Sequence, residues 1–213
     1  MDAATLCQDF SRGRRHGLDE RSDEQLMVAY QKGDTQAFEM LLTRHEKGVY
    51  RFAFRMLGDS MQAEEVAQES FLRVIQSASR YRVKASFRNY LYRIARNQCV
   101  DLLRRRPREA RLPGGEPGPE GTPEALPDWN PGPENHAEAG QVRAAIRRAL
   151  LSLPADQREA FLLKEVKDMK LQDVATITGA NLNTVKSRLR YALVHLRAHL
   201  AEEGIGKEMG HGM

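Results

Sequence analysis

Apolar residues return at three- and four-residue steps along most of the chain, which is the spacing of helices that bury one face. Ser22 and Gln25 fit a capping box and predict a short helix that ends at Gly33-Asp34. Ser79–Ala85 is predicted as a polar loop that carries the aromatic Tyr81. The other N-terminal helices are predicted from Thr35 to a break at Gly58-Asp59, from about Gln62 to Ile75, and from about Ser86 to Leu102.

The C-terminal half shows the same helical spacing. Helices are predicted at Ala139–Leu151 and from Ala155 to about Val166, followed by two shorter ones. Pro154 stands where a proline favours the first turn of a helix. Neither half alternates apolar and polar residues as strands do. The predicted fold class is therefore all-α, with two small helical domains.

The segment between the two halves has too many prolines for a helix or a central strand. Residues 107–140 hold eight of the nine prolines and seven acids against two arginines. We therefore predict a flexible, acidic, Pro/Gly-rich linker, in which Trp129 is the only large aromatic residue and a candidate anchor. The predicted organisation is a disordered extension 1–21, a helical domain 22–106, the linker 107–138, a helix-turn-helix domain 139–201 and a disordered tail 202–213.

The cysteine content and the N-terminal sequence together indicate in which cellular compartment the protein is expected, reducing or oxidising. The 213-residue chain has two cysteines, Cys7 and Cys99, which lie far apart and lack the spacing of metal ligands. This is typical of a reducing compartment, and Cys99 falls in an apolar helical pattern that predicts burial. The first twenty residues have no apolar core of signal-peptide length, and no window approaches a membrane span. We expect a cytoplasmic protein without membrane insertion.

Positive charge is concentrated in one part of the chain. The net charge is +4, but residues 72–106 contain ten Lys or Arg against Asp101 alone. A nucleic-acid partner explains that concentration, and a solvated helix face balanced by acids elsewhere explains it equally well. Rings alternate with these arginines, a combination that holds single strands by stacking and phosphate contacts. Phe87 fits the core, whereas Tyr90 and Tyr92 suit either a core edge or a contact surface.

The segment Leu171–Arg190 has the spacing of a helix-turn-helix. Ala175 allows two helices to approach closely, Gly179 permits a left-handed turn, and Val185 packs the second helix back. An ordinary helical hairpin with a charged, solvated face is the alternative, and the chemistry of the turn favours DNA binding.

The second helix of this motif is expected to have two distinct faces. Its buried face is predicted to consist of Val185, Leu189, Leu193, Leu196 and Leu200. The opposite face is expected to expose Lys186, Ser187, Arg190 and Tyr191. Asn183 or Thr184 is expected to cap the helix. Such donors suit base edges and phosphates in a major groove.

Two other function classes have support of their own. A helix-turn-helix regulator with an N-terminal helical sensing domain also explains the C-terminal half. A sensing domain, however, does not need the basic, aromatic helix of the N-terminal half. An enzyme has less support, because the sequence has no phosphate-binding Gly-rich loop, no paired Cys motif and no His-Glu-x-x-His. His195 and His199 lie one helical turn apart without an evident third ligand, so a basic helix end is favoured over a metal site.

Four segments resemble, in order, the signatures of extracytoplasmic-function (ECF) sigma factors of the sigma-70 type. They are Ala63–Leu72, Phe87–Asn97, Ser152–Phe161 and Asn183–Leu189. The resemblance spans about residues 24–106 and 140–200. It implies a non-enzymatic subunit that binds the beta-prime clamp and beta flap of core RNA polymerase and recognises promoter DNA. It also implies regulation by an anti-sigma factor, with no cofactor, metal or small-molecule ligand.

The same resemblance implies a role for particular residues. Core polymerase binding is expected at Glu65, Gln68, Glu69 and Leu72. Capture of an unstacked base in the melted minus-10 element is expected at Arg80, Tyr81, Arg82, Lys84, Ser86, Tyr90, Arg93 and Asn97, with the rings of Tyr81 and Tyr90 in contact with DNA. Reading of the duplex minus-35 element is expected at Asn183, Thr184, Lys186, Ser187, Arg188, Arg190 and Tyr191.

Overall fold

The computed structural model describes residues 20–83, 86–105 and 136–205, with side chains of the last range described from residue 140. These residues form eight α-helices, a 3₁₀ turn at Ala78–Arg80 and a π-helical turn at Leu162–Val166. The helices are α1 Asp23–Gln31, α2 Thr35–Leu57, α3 Ser60–Ser77, α4 Phe87–Arg105, α5 His136–Ser152, α6 Ala155–Phe161, α7 Leu171–Thr178 and α8 Leu182–Glu202. The described ranges contain no strand, so the all-α prediction is confirmed.

Some predictions fall outside the described residues. They concern the extension 1–19, Lys84, Trp129 with the rest of 106–135, and the tail from residue 206. In the described part of the chain, no helix has the length and apolar character needed to cross a bilayer.

The helix ends of the N-terminal half follow the capping chemistry of the sequence. The predicted capping box is present, since the amide of Gln25 donates to Ser22 Oγ at 3.3 Å and the Ser22 amide donates to Gln25 Oε1 at 2.9 Å. Asp34 caps α2 by accepting a hydrogen bond from the Ala37 amide, and Asp59 caps α3 by accepting one from the Gln62 amide. Gly58 ends α2 with a φ of 75°, where a residue with a Cβ is strained.

The core of this half lies between α1, α2, α3 and α4. Its largest fully buried side chains include Leu26, Leu41, Phe52 and Phe87. Cys99 is fully buried as predicted. Tyr92 is only 3% exposed and meets the Phe52 ring edge to face, so the choice left open by the sequence is decided in favour of the core.

The C-terminal half contains the predicted helix-turn-helix, formed by α7 and α8. Gly179 has a φ of 69°, and Val185 is fully buried. The predicted cap is wrong: Asn181, not Asn183 or Thr184, caps α8 by accepting a 2.8 Å hydrogen bond from the Thr184 amide. The cause is that α8 begins at Leu182, two to three residues earlier than those caps require.

Two further details of the C-terminal half differ from the prediction. Leu193 is 36% exposed, and Ala192 takes its place on the buried face, because three-residue and four-residue steps both satisfy the helical period. Helix α5 begins at His136, three residues before the predicted Ala139.

The two halves pack against each other, and Arg158 of α6 lies at the centre of the contact. Its guanidinium donates to the carbonyl of Met56 in the last turn of α2 and to those of Leu151 and Leu153 at the end of α5. Carbonyls at helix ends lack partners within the helix, so one buried side chain satisfies the ends of two helices. Next to it, a Cβ at Gly58 would lie 2.9 Å from the Leu151 side chain, which shows how closely the halves approach.

A second part of the contact is positively charged. Lys167, after the π-helical turn, lies with its ammonium 5.4 Å from the centre of the Tyr92 ring. Burial, together with Arg55 and Arg51 of α2 and Arg88 of α4, lowers the pKa of Lys167 from 10.5 to about 8. We call Arg51, Arg55, Arg88 and Lys167 the junction cluster.

This lowered pKa predicts a pH-dependent difference between the parent chain and Lys167→Met. Between about pH 8 and 10.5 the folded parent releases the Lys167 proton while the unfolded parent keeps it. The free energy of unfolding of the parent should therefore rise relative to that of the variant over this window and stay constant relative to it below the window. Urea denaturation at several pH values in phosphate-free buffer measures the difference. Lys164→Met, which removes a charge paired with Asp168, is the control for net charge.

Candidate nucleic-acid interface

A cavity of about 410 Å³ opens beside α4 at the position predicted for base capture. It is lined by Ser77, Arg80, Tyr81, Arg82, Asn89, Tyr90 and Arg93 of the N-terminal half and by Thr176 and Ile177 of α7. Its size is that of an ordinary small-ligand pocket, about 300–1,000 Å³. The structure thus brings together five residues predicted for the minus-10 element. Ser86 and Asn97, also predicted, do not line it.

Tyr81 does not fit the expectation of an exposed ring. It is 6% exposed and packs with its centroid 5.3 Å from Tyr90 and 6.3 Å from Phe87. Gln31 donates to its backbone carbonyl at 3.0 Å, and burial raises the pKa of its hydroxyl to about 12. The prediction that the Tyr81 ring is available to stack on DNA is therefore wrong for this arrangement, because the ring completes the core under the 3₁₀ turn.

Tyr90, for which the sequence left open a core edge or a contact surface, lies at the boundary between the two. Its hydroxyl is hydrogen-bonded to Ser77, its ring is half-buried, and the Arg93 guanidinium lies 6.0 Å from the ring centre. Arg80 and Arg82 expose their side chains nearby. One accessible ring edge among three arginines is the arrangement that binds a single strand by stacking and phosphate contacts.

Sequence reasoning assigned no specific role to several residues of this cavity. Asn89 lies one turn before Arg93 and brings an amide to the lining, a position that helical spacing alone indicates. Thr176 and Ile177 could not be found in the same way, because they reach the cavity only through the packing of α7 on α4.

The N-terminal part of α8 borders a second, more open cavity of about 900 Å³. Lys186, Ser187, Arg190 and Tyr191 are exposed, as predicted. The Arg190 guanidinium lies 5.1 Å from the centre of the Tyr191 ring. This cavity is lined by Asp156, Gln157, Asn181, Leu182, Asn183, Thr184, Ser187, Arg188 and Tyr191. The surface offers donors of several kinds around the N-terminus of a helix, where an anion is favoured.

Arg188 differs from the other residues predicted for the minus-35 element because it already has acidic partners. Its Nε lies 3.2 Å from Asp156 Oδ2, and its Nη1 lies 3.5 Å from Glu159 Oε1. Both acids belong to α6. In this arrangement Arg188 is therefore tied to the scaffold of its own half.

Glu159 connects α8 to the N-terminal half. It is 1% exposed, and it accepts two hydrogen bonds from Arg96 of α4, from Nε at 2.6 Å and from Nη2 at 2.9 Å. A bidentate arginine–carboxylate pair is the strongest common side-chain interaction. One buried carboxylate thus pairs with an arginine of α4 and with an arginine of the recognition helix, which Asp156 pairs with as well.

The predicted polymerase surface on α3 is exposed. Glu65 and Gln68 face solvent, and Glu69 accepts a 2.8 Å hydrogen bond from Arg73 one turn later. Leu72 is 50% exposed among these polar groups. Met61 and Ile75 expose further apolar area on the same helix. Apolar side chains left in water beside acids are typical of a surface that a partner covers.

The chain is similar to sigma factors over most of its length. The family model described as sigma-70 region 2 matches residues 41–109, and the one described as sigma-70 region 4 matches residues 143–196. The ECF RNA polymerase sigma factor SigM of Mycobacterium tuberculosis is 31% identical over 190 residues, which cover 89% of this chain and 89% of that protein. The ECF RNA polymerase sigma factor SigW of Bacillus subtilis is 28% identical, over 80% of this chain and 92% of that protein.

Two solved structures with a similar fold are complexes with a second protein. CnrH, in complex with the cytosolic domain of CnrY, has a TM-score of 0.64 at 21% identity and covers 85% of this chain and 99% of its own. RpoE of Bartonella quintana, in complex with the anti-sigma factor NepR, has a TM-score of 0.60 at 23% identity, with 77% and 96% covered. At these identities the likeness shows a shared fold.

Removal of the shared carboxylate by Glu159→Gln is expected to lower the free energy of unfolding by roughly 3 kcal/mol, because it leaves the charge of the largely buried Arg96 without its counter-ion. Chemical denaturation measures the change. Glu165→Gln, an exposed change in the π-helical turn that follows α6, should stay within about 0.5 kcal/mol of the parent. Equal losses in both variants would contradict the assignment.

Proposed function

Because this chain belongs to the ECF family of RNA polymerase sigma factors, we propose that it binds core RNA polymerase and directs initiation to promoters with minus-10 and minus-35 elements. The observation that carries the proposal is the presence, in one chain, of a ring-and-arginine cavity on α4 and an exposed recognition face on α8. We propose residues 22–106 as the minus-10 unit and, because α5 begins at His136, residues 136–201 as the minus-35 unit, joined by the acidic linker.

At the minus-10 element, a base is read after it leaves the duplex, at a cost of roughly a few kcal/mol. The cavity beside α4 provides groups that offset this cost. Tyr90 offers a ring edge for stacking, and Asn89 offers an amide for the base edge. Arg80 and Arg93 line the same cavity, and we propose that they contact the phosphates on either side of the base.

At the minus-35 element, α8 enters the major groove of duplex DNA. Lys186, Arg190 and Ser187 are the exposed donors for base edges and phosphates. The Asn181 side chain caps only the Thr184 amide, and the N-terminus of a helix favours a phosphate. This is the docking mode of other helix-turn-helix proteins.

The packing of the two halves restricts access to the minus-10 cavity and holds Arg188 of the recognition helix. Thr176 and Ile177 of α7 close one side of the minus-10 cavity, and Glu159 joins Arg96 to Arg188. We therefore assign the described arrangement to the chain before it engages a promoter. Contacts with core polymerase through α3 are expected to replace those between the halves.

A protein inhibitor fits the remaining exposed surface. Leu193 and Val194 expose apolar area on α8 beyond the DNA-facing residues, which suits either the beta flap or an anti-sigma factor. The sigma factor of Bartonella quintana that shares this fold is bound to an anti-sigma factor, and we propose the same type of regulation here.

The subunit itself is proposed to perform no chemical step, since polymerisation belongs to the core enzyme. A subunit of this polymerase works in the cytoplasm, which is the compartment we propose. The helix-turn-helix regulator considered from the sequence shares the α8 surface with this proposal. It provides no role for the exposed leucine on α3 or for the cavity on α4.

The proposal predicts promoter-dependent transcription when the purified chain is added to core polymerase. Promoters for the assay are obtained by selection from a genomic library. Leu72→Glu should lower affinity for core at least tenfold, because it places a charge on the apolar centre of the α3 surface. Val142→Glu adds the same charge at an exposed aliphatic residue of α5 and should leave affinity unchanged. Tight binding to duplex DNA without any complex with core would rule the proposal out.

Direct reading of the minus-35 element by α8 is tested with Arg190→Ala. Loss of this exposed arginine should cost about 1–3 kcal/mol in binding to a selected promoter duplex. Arg197→Ala, on the same face two turns later, is the control and should change affinity little. Fluorescence anisotropy at fixed salt measures both. If the two variants lose affinity equally, the contact is general attraction to phosphate.

A further inference from the structure

The cavity beside α4 has walls from both halves of the chain, which the capture of a DNA base does not require. Thr176 and Ile177 of α7 complete a lining whose other seven residues belong to the N-terminal half. The enclosed volume of about 410 Å³ lies within the range of pockets that hold small molecules. A DNA strand has to continue past its captured base on both sides. A wall from α7 therefore suits a free small molecule better than a nucleotide within a strand.

The walls of this cavity suit a flat heterocycle. The Tyr90 ring is half-buried, and it is held in place by the hydrogen bond of its hydroxyl to Ser77 and by the Tyr81 ring, whose centroid lies 5.3 Å away. A ring that packing already fixes loses little conformational entropy when a second ring stacks on it. Ile177, which is 3% exposed, adds aliphatic surface from the other half. The lining thus offers both aromatic and aliphatic contact to a base.

The side-chain amide of Asn89 is available to such a base. Asn89 is half-buried in the lining, and its backbone N–H donates to Ser86 Oγ at 3.2 Å. Its side-chain amide forms no hydrogen bond with any residue that the structure describes. An amide pairs with adenine through two hydrogen bonds, one to N7 and one from the N6 amino group.

Three arginines line the same cavity. Arg80, Arg82 and Arg93 are exposed, and in the described ranges no carboxylate pairs with any of them. The Arg82 guanidinium is held by two backbone carbonyls at 3.1 and 3.0 Å, and that of Arg93 lies 6.0 Å from the centre of the Tyr90 ring. Guanidinium groups bind phosphate oxygens through paired hydrogen bonds. The cavity therefore places positive charge for phosphates next to a surface for a base.

We propose that this cavity is a binding site for a free adenine nucleotide, with the base between Tyr90 and Ile177 and the phosphates at Arg80 and Arg93. The side-chain amide of Asn89 selects adenine. A diphosphate balances more of the charge of the three arginines than a single phosphate does. The nucleotide shares the cavity with the captured base of the minus-10 element, but only the free nucleotide uses the wall from α7.

A nucleotide at this place contacts both halves, so its binding favours the arrangement in which the halves are packed together. It also excludes the minus-10 base, because both ligands use Asn89 and Tyr90. The site extends the proposed function, and the two can fail separately because nucleotide binding is measured on the isolated full chain. Promoter-directed transcription without ADP binding would overturn the nucleotide site alone, whereas ADP binding without such transcription would overturn the sigma-factor function alone.

ADP is the probe, titrated by calorimetry into the full chain in phosphate-free buffer at constant ionic strength. We expect one saturable site for ADP. Adenosine and inorganic pyrophosphate should each bind at least tenfold more weakly, because each provides only part of the contacts. GDP should bind at least fivefold more weakly, because it has an acceptor where adenine has the N6 donor. Absence of a saturable site, or equal affinity for ADP and pyrophosphate, overturns the proposal, and equal affinity for ADP and GDP overturns the selection of adenine.

The wall from α7 is tested with Thr176→Glu, which places a negative charge in the lining and should weaken ADP binding at least tenfold. Thr43→Glu on α2 is the matched control and should bind ADP within twofold of the parent. Each threonine is exposed, and each donates its hydroxyl to the backbone carbonyl four residues earlier, at 2.9 Å for Thr176 and 2.8 Å for Thr43. An equal loss in both variants, or no loss in Thr176→Glu, contradicts the site.

A second measurement needs only the parent chain, in case Thr176→Glu disturbs the packing of α7. Hydrogen–deuterium exchange, read by mass spectrometry, reports the protection of backbone amides in each helix. Saturating ADP should slow exchange in α7 and in the first turns of α4, and it should leave the last turns of α8 unchanged. Equal exchange of α7 with and without ADP overturns the proposal.

Discussion

Two consecutive charged residues in the core, Arg158 and Glu159, are the constraint on which the arrangement of the molecule depends. A buried charge is costly unless it is paired, so each of these side chains must find its partners wherever they lie. Arg158 finds them in the carbonyls that end α2 and α5. Glu159 finds them in Arg96 and Arg188. The short helix α6 therefore sets the position of both halves.

The same constraint determines which basic residues of the chain remain available to bind DNA. Counted along the sequence, the segment 72–106 looks like one continuous surface for a polyanion. In the structure its arginines serve different purposes: Arg96 is taken up by Glu159, and Arg88 joins the junction cluster. Arg80 and Arg93 remain beside the cavity. A count of charges thus overstates the surface that faces DNA, because helical geometry divides neighbours in sequence among different faces.

Local features of the fold could be predicted from the sequence, and features made by packing between distant segments could not. The capping box at Ser22 and the turn at Gly179 depend on residues a few positions apart, and both were found. Tyr81 was misjudged because its burial depends on Phe87 and on Gln31, fifty residues away. The junction cluster was missed for the same reason, because its members are separated by up to 116 positions along the chain, from Arg51 to Lys167.

The sharing of one carboxylate by two arginines also limits how this protein can diverge. A change at Arg188 that altered the reading of a promoter would remove one of the two arginines that pair with Glu159, and a change at Arg96 would remove the other. The recognition helix is thereby linked to α4, the helix whose Asn89, Tyr90 and Arg93 border the minus-10 cavity. A new promoter specificity is easier to reach through Lys186 or Arg190, because both are exposed and neither pairs with Glu159. Substitutions that alter promoter preference should therefore arise first at Lys186 or Arg190. A substitution at Arg188 is expected only together with a compensating substitution in α4.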